Sequence, residues 1–315
     1  MSIRYSIVIP AYNEELVIEE SYKRLKSVMD RTNESYELIF VNDGSRDKTG
    51  EMLISLCEKD ANVKMIDFSR NFGHQTAITA GMDNSSGQAV VVIDADLQDP
   101  PEVILDMIEK WKEGYDVVYG KRAKRKGETF FKLFTAKIFY RFLKSMTNVD
   151  IPVDTGDFRL IDRKVCDELS RLSEKNRYVR GLVSWVGFKQ TDVTYVREER
   201  FAGETKYPLK KMIKFAMDGL TAFSYVPLKL SSLLGSILSM GSIIWLIVSV
   251  LIKYLGGASI PGWACVLSVP LFFNGLILIM LGIMGEYIGR IYDETKDRPL
   301  YIIREKKGFS DGEKC

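Results

Sequence analysis

The sequence predicts an α/β fold, a mostly parallel, doubly wound sheet, followed by two membrane-spanning helices. Short β-branched runs alternate with helical patterns over residues 1 to about 120, and this alternation is typical of strands joined by crossover helices. Charged residues are then absent from Leu230 to Ile252 and from Leu255 to Gly285. Each of these apolar runs exceeds the ~20 residues that a helix needs to cross a bilayer.

The strands and helices of the sheet domain are predicted in a regular order. The strands are YSIVIP, YELIFV, VKMIDF, AVVVID and DVVYG, and the helices lie near Glu14–Asp30, Asp47–Asp60, Gln75–Ser86 and Pro101–Glu113. Ligands of such sheets bind beyond the carboxyl ends of the strands. The sequence has no GxGxxG after the first strand and no GxxxxGK[ST], which excludes these two phosphate-binding motifs.

The chain of 315 residues is long enough for one large domain and a second part. The predicted parts are an α/β domain at 1–226, a transmembrane region at 227–289 with helices at about 228–254 and 263–288, and a tail at 290–315. The tail is expected to be disordered after Lys306. The alternative to a membrane hairpin is a pair of buried core helices, which the rest of the chain would have to surround.

Charge predicts the orientation of these parts. Basic residues follow the second apolar run at positions 290, 296, 298, 304, 306 and 307, whereas the loop between the runs has only Lys253. Positive-inside counting therefore places the α/β domain and both termini in the cytoplasm, with no signal peptide expected. The net charge of +2 predicts no general attraction to nucleic acid. The four scattered cysteines suit a reducing compartment.

Two carboxylates follow the AVVVID strand and are the first candidates for chemistry. Asp94 and Asp96 are two residues apart, and carboxylates that close resist joint ionisation unless a cation lies between them. A hard divalent ion such as Mg²⁺ or Mn²⁺ meets this need. The alternative is a solvated turn in which Asp99 caps a helix that begins at Pro100 and Pro101.

Several motifs occur together in one order: IPAYNEE, VNDGSRDKT and DADLQDPPE. In this order they resemble the family 2 glycosyltransferases of the GT-A fold. The resemblance continues through RNFGHQTAITAGMD, DTGDFRLIDR and RFAGETKYPL to the apolar helices, so that it covers nearly the whole chain. The chain is most similar to bacterial polyprenyl-phosphate glycosyltransferases, particularly the bactoprenol glucosyltransferases that modify the O-antigen of lipopolysaccharide, with dolichyl-phosphate mannose synthases as more distant relatives.

The resemblance implies roles for particular residues. Positions that match the nucleoside site are Pro10, Tyr12, Glu14, Val41 and Asp43, with Asp43 facing the base. Positions that match the diphosphate and metal site are Asp94, Ala95 and Asp96. Basic positions that match the donor diphosphate or acceptor phosphate site are Arg122, Arg200 and Lys206. From the residues alone, Arg122 fits a solvated face of KRAKRK equally well, and RFAGETKY fits either a mobile lid or a surface loop.

Asp157 in DTGDFRL matches the proposed catalytic base of the family. A phosphate monoester has a second pKa of about 6 and is largely ionised at neutral pH, so the need for a base is slight. We therefore expect Asp157 to orient or stabilise charge, acting through Arg159. The alternative is a buried Asp–Arg pair that only fastens the domain. His74, the single histidine, is expected to cap or pack at a helix start rather than to take part in catalysis.

The resemblance implies inverting transfer of a hexose, glucose first, from a UDP-sugar to undecaprenyl phosphate at the inner (plasma) membrane. Amphipathic segments 128–146 and 208–226 fit interfacial helices on the bilayer, or core-facing helices as the alternative. Glycines in the apolar helices favour a homo-oligomer, for which a tetramer is one expected form. A flippase and a second glycosyltransferase are further expected partners. Rival functions are a non-catalytic nucleotide-sugar sensor and a polysaccharide synthase. The synthase is the weaker rival, because the sequence has no QxxRW motif.

Overall fold

The computed structural model describes residues 3–123, 155–198, 226–256 and 263–309. The strands are β1 (Tyr5–Ala11), β2 (Tyr36–Asn42), β3 (Val63–Phe68), β4 (Ala89–Val92), β5 (Val117–Arg122), β6 (Thr155–Asp162), β7 (Gln190–Tyr195) and β8 (Ile303–Lys307). The helices are α1 (Ile18–Asp30), α2 (Thr49–Lys59), α3 (His74–Asp83), α4 (Val103–Lys112), α5 (Arg163–Ser170), α6 (Val179–Trp185), α7 (Val226–Gly256) and α8 (Trp263–Thr295). The predicted α/β fold is thereby confirmed.

The strands form one eight-stranded sheet in the order β7-β5-β6-β4-β1-β2-β3-β8. Strands β1 to β4 are parallel where they pair, and β5 pairs in parallel with β7. Strand β6 runs antiparallel between β4 and β5, and β8 runs antiparallel along β3. The sheet is therefore mostly parallel, and the carboxyl ends of β1, β2 and β4 meet at one edge.

Helices cover both faces of the sheet, which explains why every residue of β1 to β4 is buried. Helices α1, α2 and α4 pack on one face, and α3, α5 and α6 pack on the other. Helix α3 approaches β1 closely at Gly81, where a Cβ atom would lie 2.2 Å from Val8 Cγ1. This contact holds α3 against the sheet, with His74 and Gln75 at the end of the helix nearest the carboxyl ends of the strands.

The predicted helices are confirmed, with two starts that differ. Helix α1 begins at Ile18 rather than near Glu14, because the preceding loop is tied to the loop after β2. The amide of Glu14 donates to Thr49 Oγ1 at 2.9 Å. Helix α4 begins at Val103, and the side chain of Glu102, the N-cap residue just before it, makes no capping hydrogen bond. Asp99 is not the cap either, because its carboxylate is bound elsewhere.

The chain after α8 rejoins the sheet as a strand at its edge. Strand β8 pairs with β3 and extends to Lys307, beyond the expected limit of order at Lys306. Tyr301 stacks on Phe68 with ring centroids 5.3 Å apart, and Phe309 lies under the Lys64 ammonium at 4.8 Å. The expected disorder was wrong for Lys307–Phe309, because Lys307 pairs with β3 and Phe309 contacts Lys64. Residues 310–315 lie outside the described part of the chain.

Two long helices, α7 and α8, lie where the apolar runs are. They contact one another, and a Cβ atom on Gly235 would lie 3.8 Å from Met280. Within the described residues, Phe272–Thr295 is the single segment with the length and composition needed to cross a membrane. The end of α8 is tied to the sheet domain, since Glu294 accepts from the amide of Lys175 at 2.7 Å. The predicted interfacial segments lie outside the described residues, apart from Val226.

Removal of residues 301–315 should lower the midpoint of thermal unfolding of the detergent-solubilised protein by roughly 5–10 °C. The truncation removes β8 and the Tyr301 stack and leaves β3 as an unpaired edge. A truncation of residues 310–315 alone is the matched control and should leave the midpoint unchanged. Near-ultraviolet circular dichroism gives the measurement. Equal midpoints for the two truncated proteins would contradict a stabilising role for β8.

Candidate functional site

The loops after β1 and β2 are joined by side-chain to backbone hydrogen bonds. Asn13, with a positive φ of 54°, accepts from the amide of Arg46 at 2.9 Å, and its own amide donates to Ser45 Oγ at 2.9 Å. Asparagine tolerates this left-handed conformation better than most residues. The bonds bring Tyr12 and Glu14, which lie in the first loop, next to the loop that begins at Asp43.

The expected nucleoside residues converge at this edge. Pro10 and Val41 are buried and stand opposite each other in register. The Asp43 carboxylate accepts from the amides of Phe72 at 2.6 Å and Gly73 at 3.0 Å, and burial raises its pKa. Asp43 therefore fixes the start of α3, and one side of its carboxylate is already used within the chain.

The expected metal residues occupy the turn that follows β4. The Asp94 side chain is 31% exposed, whereas Asp96 and Ala95 are buried. Asp96 Oδ1 accepts from the amide of Gln98 at 3.1 Å, and Leu97 has a positive φ of 58° that reverses the chain. The turn thus presents one partly open carboxylate with a second close behind it.

Asp157 is buried on β6 and is surrounded by donors. Arg180 donates from Nε to Oδ1 at 2.8 Å and from Nη2 to Oδ2 at 3.1 Å, and Gln75 Nε2 donates to Oδ2 at 3.2 Å. Burial raises the pKa of Asp157, but Arg180 and His74 outweigh it and hold this pKa well below its usual range. Asp157 is therefore a fixed anion at neutral pH.

His74 links the two acidic sites, which the sequence analysis missed. Its Nε2 atom lies 3.2 Å from Asp157 Oδ2 and 3.5 Å from Asp94 Oδ1. Burial lowers the pKa of His74, but Asp94 and Asp157 outweigh it and raise this pKa to about 9. Burial, with the charges of Asp157, Asp96 and Asp99, raises the pKa of Asp94 to about 6. The imidazolium is the nearest described positive charge to Asp94.

Arg159 is not the partner of the Asp157 carboxylate, as had been expected. Its guanidinium donates instead to two main-chain carbonyl oxygens, of Asp157 at 3.3 Å and of Gly156 at 2.9 Å. Burial lowers the pKa of Arg159 to about 10. The actual partner, Arg180, lies 23 residues further along on α6, so local spacing along β6 gave no signal for it.

Another buried carboxylate, Asp99, lies under the ends of β5 and β7. The Tyr195 hydroxyl donates to Asp99 Oδ1, and the guanidinium groups of Arg122 and Arg197 lie 3.6 Å and 3.7 Å from its two oxygens. The predicted phosphate-binding residue Arg122 thus lies within the site. Arg200 and Lys206 lie outside the described residues.

The donor atoms at this edge fit a divalent cation that is completed by a ligand. Asp94 and Asp96 offer hard oxygen atoms from one short turn, and the pKa of Asp94 is raised by burial and by nearby negative charge, which a cation would offset. Within the described residues, no group of three or more His, Cys, Asp or Glu side chains converges as a complete metal site. Mg²⁺ and Mn²⁺ sites of one or two carboxylates are commonly completed by phosphate oxygens and water.

Comparison with known proteins gives consistent matches. The model of "Glycosyl transferase family 2" matches residues 6–170. The chain is 63% identical over 98% of its length to "Uncharacterized glycosyltransferase YkcC" of Bacillus subtilis (strain 168), of which 96% is covered. It is 39% identical over 97% of its length to "Bactoprenol glucosyl transferase" of Shigella phage SfV, of which 99% is covered.

A solved structure with a remote likeness is glucosyl-3-phosphoglycerate synthase from Mycobacterium tuberculosis in complex with Mn²⁺, UDP and phosphoglyceric acid. The match has a TM-score of 0.46 and 18% sequence identity, and it covers 70% of this chain and 76% of that one.

Arg180→Gln should lower the free energy of unfolding by about 3–5 kcal/mol, because it leaves the buried Asp157 carboxylate without its guanidinium partner. Urea titration of the detergent-solubilised protein measures this change. Arg171→Gln, which removes a guanidinium that is 73% exposed and bound to Glu168, should change the free energy by less than about 0.5 kcal/mol. Adding Asp157→Asn to Arg180→Gln should restore much of the loss. A double variant no more stable than the single variant would contradict the pairing.

Proposed function

Because the chain belongs to glycosyl transferase family 2 and is a glycosyltransferase, we propose that it transfers glucose from UDP-glucose to undecaprenyl phosphate with inversion at the anomeric carbon. The observation that carries this proposal is that the carboxylate turn after β4 and Asp157 on β6 lie together at one edge of the sheet. The partly open carboxylate turn at Asp94 fits a metal-bound diphosphate, and Asp157 lies on the other side of His74. A sugar that extends from the diphosphate past His74 would lie near Asp157.

The donor would occupy the edge formed by the loops after β1 and β2. Support comes from the convergence of Pro10, Val41 and Asp43 and from the bonds that hold Tyr12 and Glu14 next to them. Within the part of the chain that the structure describes, Asp43 Oδ2 accepts one hydrogen bond, from the amide of Gly73. A carboxylate oxygen has room for another donor, which suits the N–H group of a uracil ring.

Asp94 and Asp96 would hold a Mg²⁺ or Mn²⁺ ion together with the donor diphosphate. When bound, such an ion stabilises the negative charge that develops on the leaving nucleoside diphosphate. The chain itself would contribute Arg122, and the cation His74 would balance Asp94 and Asp157. The repulsion between the acids in the turn after β4 would therefore favour binding of the donor, because the ion that reduces this repulsion also binds the donor diphosphate.

Asp157 would act as a fixed charge at the reacting centre rather than as a base. Four hydrogen bonds from Arg180, Gln75 and His74 hold its carboxylate as an anion. An anion with a pKa so far below neutral accepts a proton poorly, and the phosphate acceptor is largely ionised already. A negative charge near the sugar would instead stabilise positive charge that develops at the anomeric carbon.

The acceptor would reach the site from a membrane. Matches to bactoprenol glucosyl transferases support transfer to a lipid carrier, and the apolar segment Phe272–Thr295 supports membrane association. We place α7 in the bilayer beside α8, because it contains the charge-free run Leu230–Ile252 and contacts α8. In this arrangement the sheet domain lies in the cytoplasm, and an oligomer would form through the helices. Anchoring raises the effective concentration of a phosphate that cannot leave the bilayer.

Asp94→Ala combined with Asp96→Ala should reduce transfer by about a hundredfold or more, because the diphosphate loses its cation. Membranes are incubated with radiolabelled UDP-glucose and Mn²⁺ and then extracted with organic solvent, and labelled lipid is counted. Asp106→Ala, at an exposed site on α4, is the control and should retain full transfer. Unchanged transfer by the double variant would contradict the metal site. In the wild type, insoluble labelled polymer would indicate a synthase, and bound but unconverted nucleotide would indicate a sensor.

Asp157→Asn should lower kcat by about a hundredfold and change the Kd for UDP by less than about threefold. The charge it removes is proposed to act in the transition state, not on the bound nucleotide. Because the change also leaves Arg180 without its carboxylate partner, kcat is measured at a temperature where circular dichroism shows the variant folded. A folded variant with unchanged kcat would show that Asp157 only fastens the domain.

A further inference from the structure

Asp99 joins the turn after β4 to two strands that end beside it. Its carboxylate is 1% exposed and binds groups from the ends of β5 and β7. These are Arg122, Tyr195 and Arg197. The chain after β7 is also fixed to the turn, because the amide of Glu198 donates to the carbonyl oxygen of Gln98 at 2.9 Å. The two arginines are thus held in place relative to Asp94 and Asp96.

The charges in this cluster do not balance. Two guanidinium groups face one carboxylate, and their distances of 3.6 Å and 3.7 Å exceed those of direct hydrogen bonds. Arg197 Nε is buried and has no hydrogen-bond acceptor among the described residues. The Arg122 and Arg197 side chains nevertheless remain 32% and 27% exposed. Counted over the described residues, the cluster therefore has one positive charge in excess, with donors available to an outside anion.

The cluster lies next to the proposed reacting centre. The guanidinium of Arg122 packs against Gly156, where a Cβ atom would lie 2.8 Å from Nη2. Gly156 is adjacent to Asp157 in the chain, so a larger residue there would displace the guanidinium. An anion bound to Arg122 would therefore lie close to Asp157.

We infer that Arg122 and Arg197 form a phosphate-binding subsite and that Asp99 is the positioning residue that holds them. The ligand is a phosphate group, supplied either by the lipid acceptor or by the donor diphosphate. Planar guanidinium groups suit phosphate because each provides several donors in fixed directions. The inference rests on the proposed function, to which it adds Arg197 and Asp99 as residues that bind or position a phosphate.

Steady-state kinetics of Arg197→Gln in the full-length protein distinguish the two sources of phosphate. We expect the KM for a short-chain polyprenyl phosphate to rise about tenfold, because a charge-assisted hydrogen bond is lost, and the KM for UDP-glucose to change less than about twofold. A rise in the KM for UDP-glucose alone would support the subsite and assign it to the donor. Arg197→Lys keeps the charge without the planar fork and should give an intermediate KM. If neither KM changes in Arg197→Gln, the subsite is excluded.

Arg163→Gln is the matched control. Arg163 has a similarly exposed side chain, at 28%, but binds the carbonyl oxygen of Gly87 at the opposite edge of the sheet. Both KM values should stay at the wild-type level in this variant. A rise in the acceptor KM equal to that of Arg197→Gln would mean that loss of any surface arginine weakens membrane or substrate association, and this would overturn the subsite.

The direction in which Asp99→Asn changes the KM for the phosphate ligand tests whether Asp99 positions the two arginines. The change makes the cluster more positive, so a purely electrostatic role for the arginines predicts a lower KM for the phosphate. Positioning predicts a KM about threefold higher, because the guanidinium groups lose the carboxylate that orients them. Tyr195→Phe removes one hydroxyl group and no charge, and should raise the KM in the same direction. A lower KM in Asp99→Asn would overturn the role of Asp99.

Binding without turnover separates this inference from the proposed function. Thermal shift of the wild type and Arg197→Gln is measured with the polyprenyl phosphate alone and with UDP and Mn²⁺ alone. If the wild type transfers no sugar, yet one of these phosphate ligands stabilises it and not the variant, the proposed function fails and the subsite stands. If each ligand stabilises both proteins equally, the subsite fails whatever the activity.

Discussion

The arrangement of the site depends on the cost of keeping carboxylates in a buried place. Asp94, Asp96, Asp99 and Asp157 gather where β4 and β6 meet the ends of their neighbours, and three of these four are buried. Isolated buried charges are strongly unfavourable, so a folded chain must provide each with a partner. Asp157 has Arg180 and His74, and Asp99 has Tyr195 with two arginines. Asp94 shares only the imidazolium of His74 at 3.5 Å among the described partners, which is where an external cation is most favourable.

The partners of these acids come from distant parts of the chain, and this joins the site to the fold. His74 and Gln75 begin α3, which Gly81 allows to lie close against β1. Gln75 also accepts from the amide of Val179 at 3.0 Å, so that the starts of α3 and α6 are fixed together. Arg180 follows Val179 directly and reaches Asp157 from there. One side chain, Gln75, thus orients both helices that provide the donors to the catalytic candidate.

The sequence predicted those features that arise from periodicity and from motifs placed at strand ends. The alternation of β-branched runs with helical patterns was sufficient to predict β1 to β5 and α1 to α4. The motif DADLQD was sufficient to place Asp94 and Asp96 at an edge of the sheet. The sequence could not reveal the pairing of Asp157 with Arg180, because the two residues meet only when α6 packs on the sheet. Asp99 looked like a helix cap for the same reason, since its real partners lie on β5 and β7.

The end of the chain links the candidate membrane-spanning helix α8 directly to the site in the sheet. Lys175 donates to Glu294 in the last turn of α8 and to Asp297 just after the helix, and the chain then pairs with β3 as β8. Lys175 lies in the loop that leads into α6, four residues before Val179. The end of α8 is thus attached at two places, the outer strand of the sheet and the loop before the helix that carries Arg180. A tilt of α8 relative to the sheet would therefore strain the loop before α6, and the proposed anchoring would fix the orientation of the site as well as its distance from the bilayer.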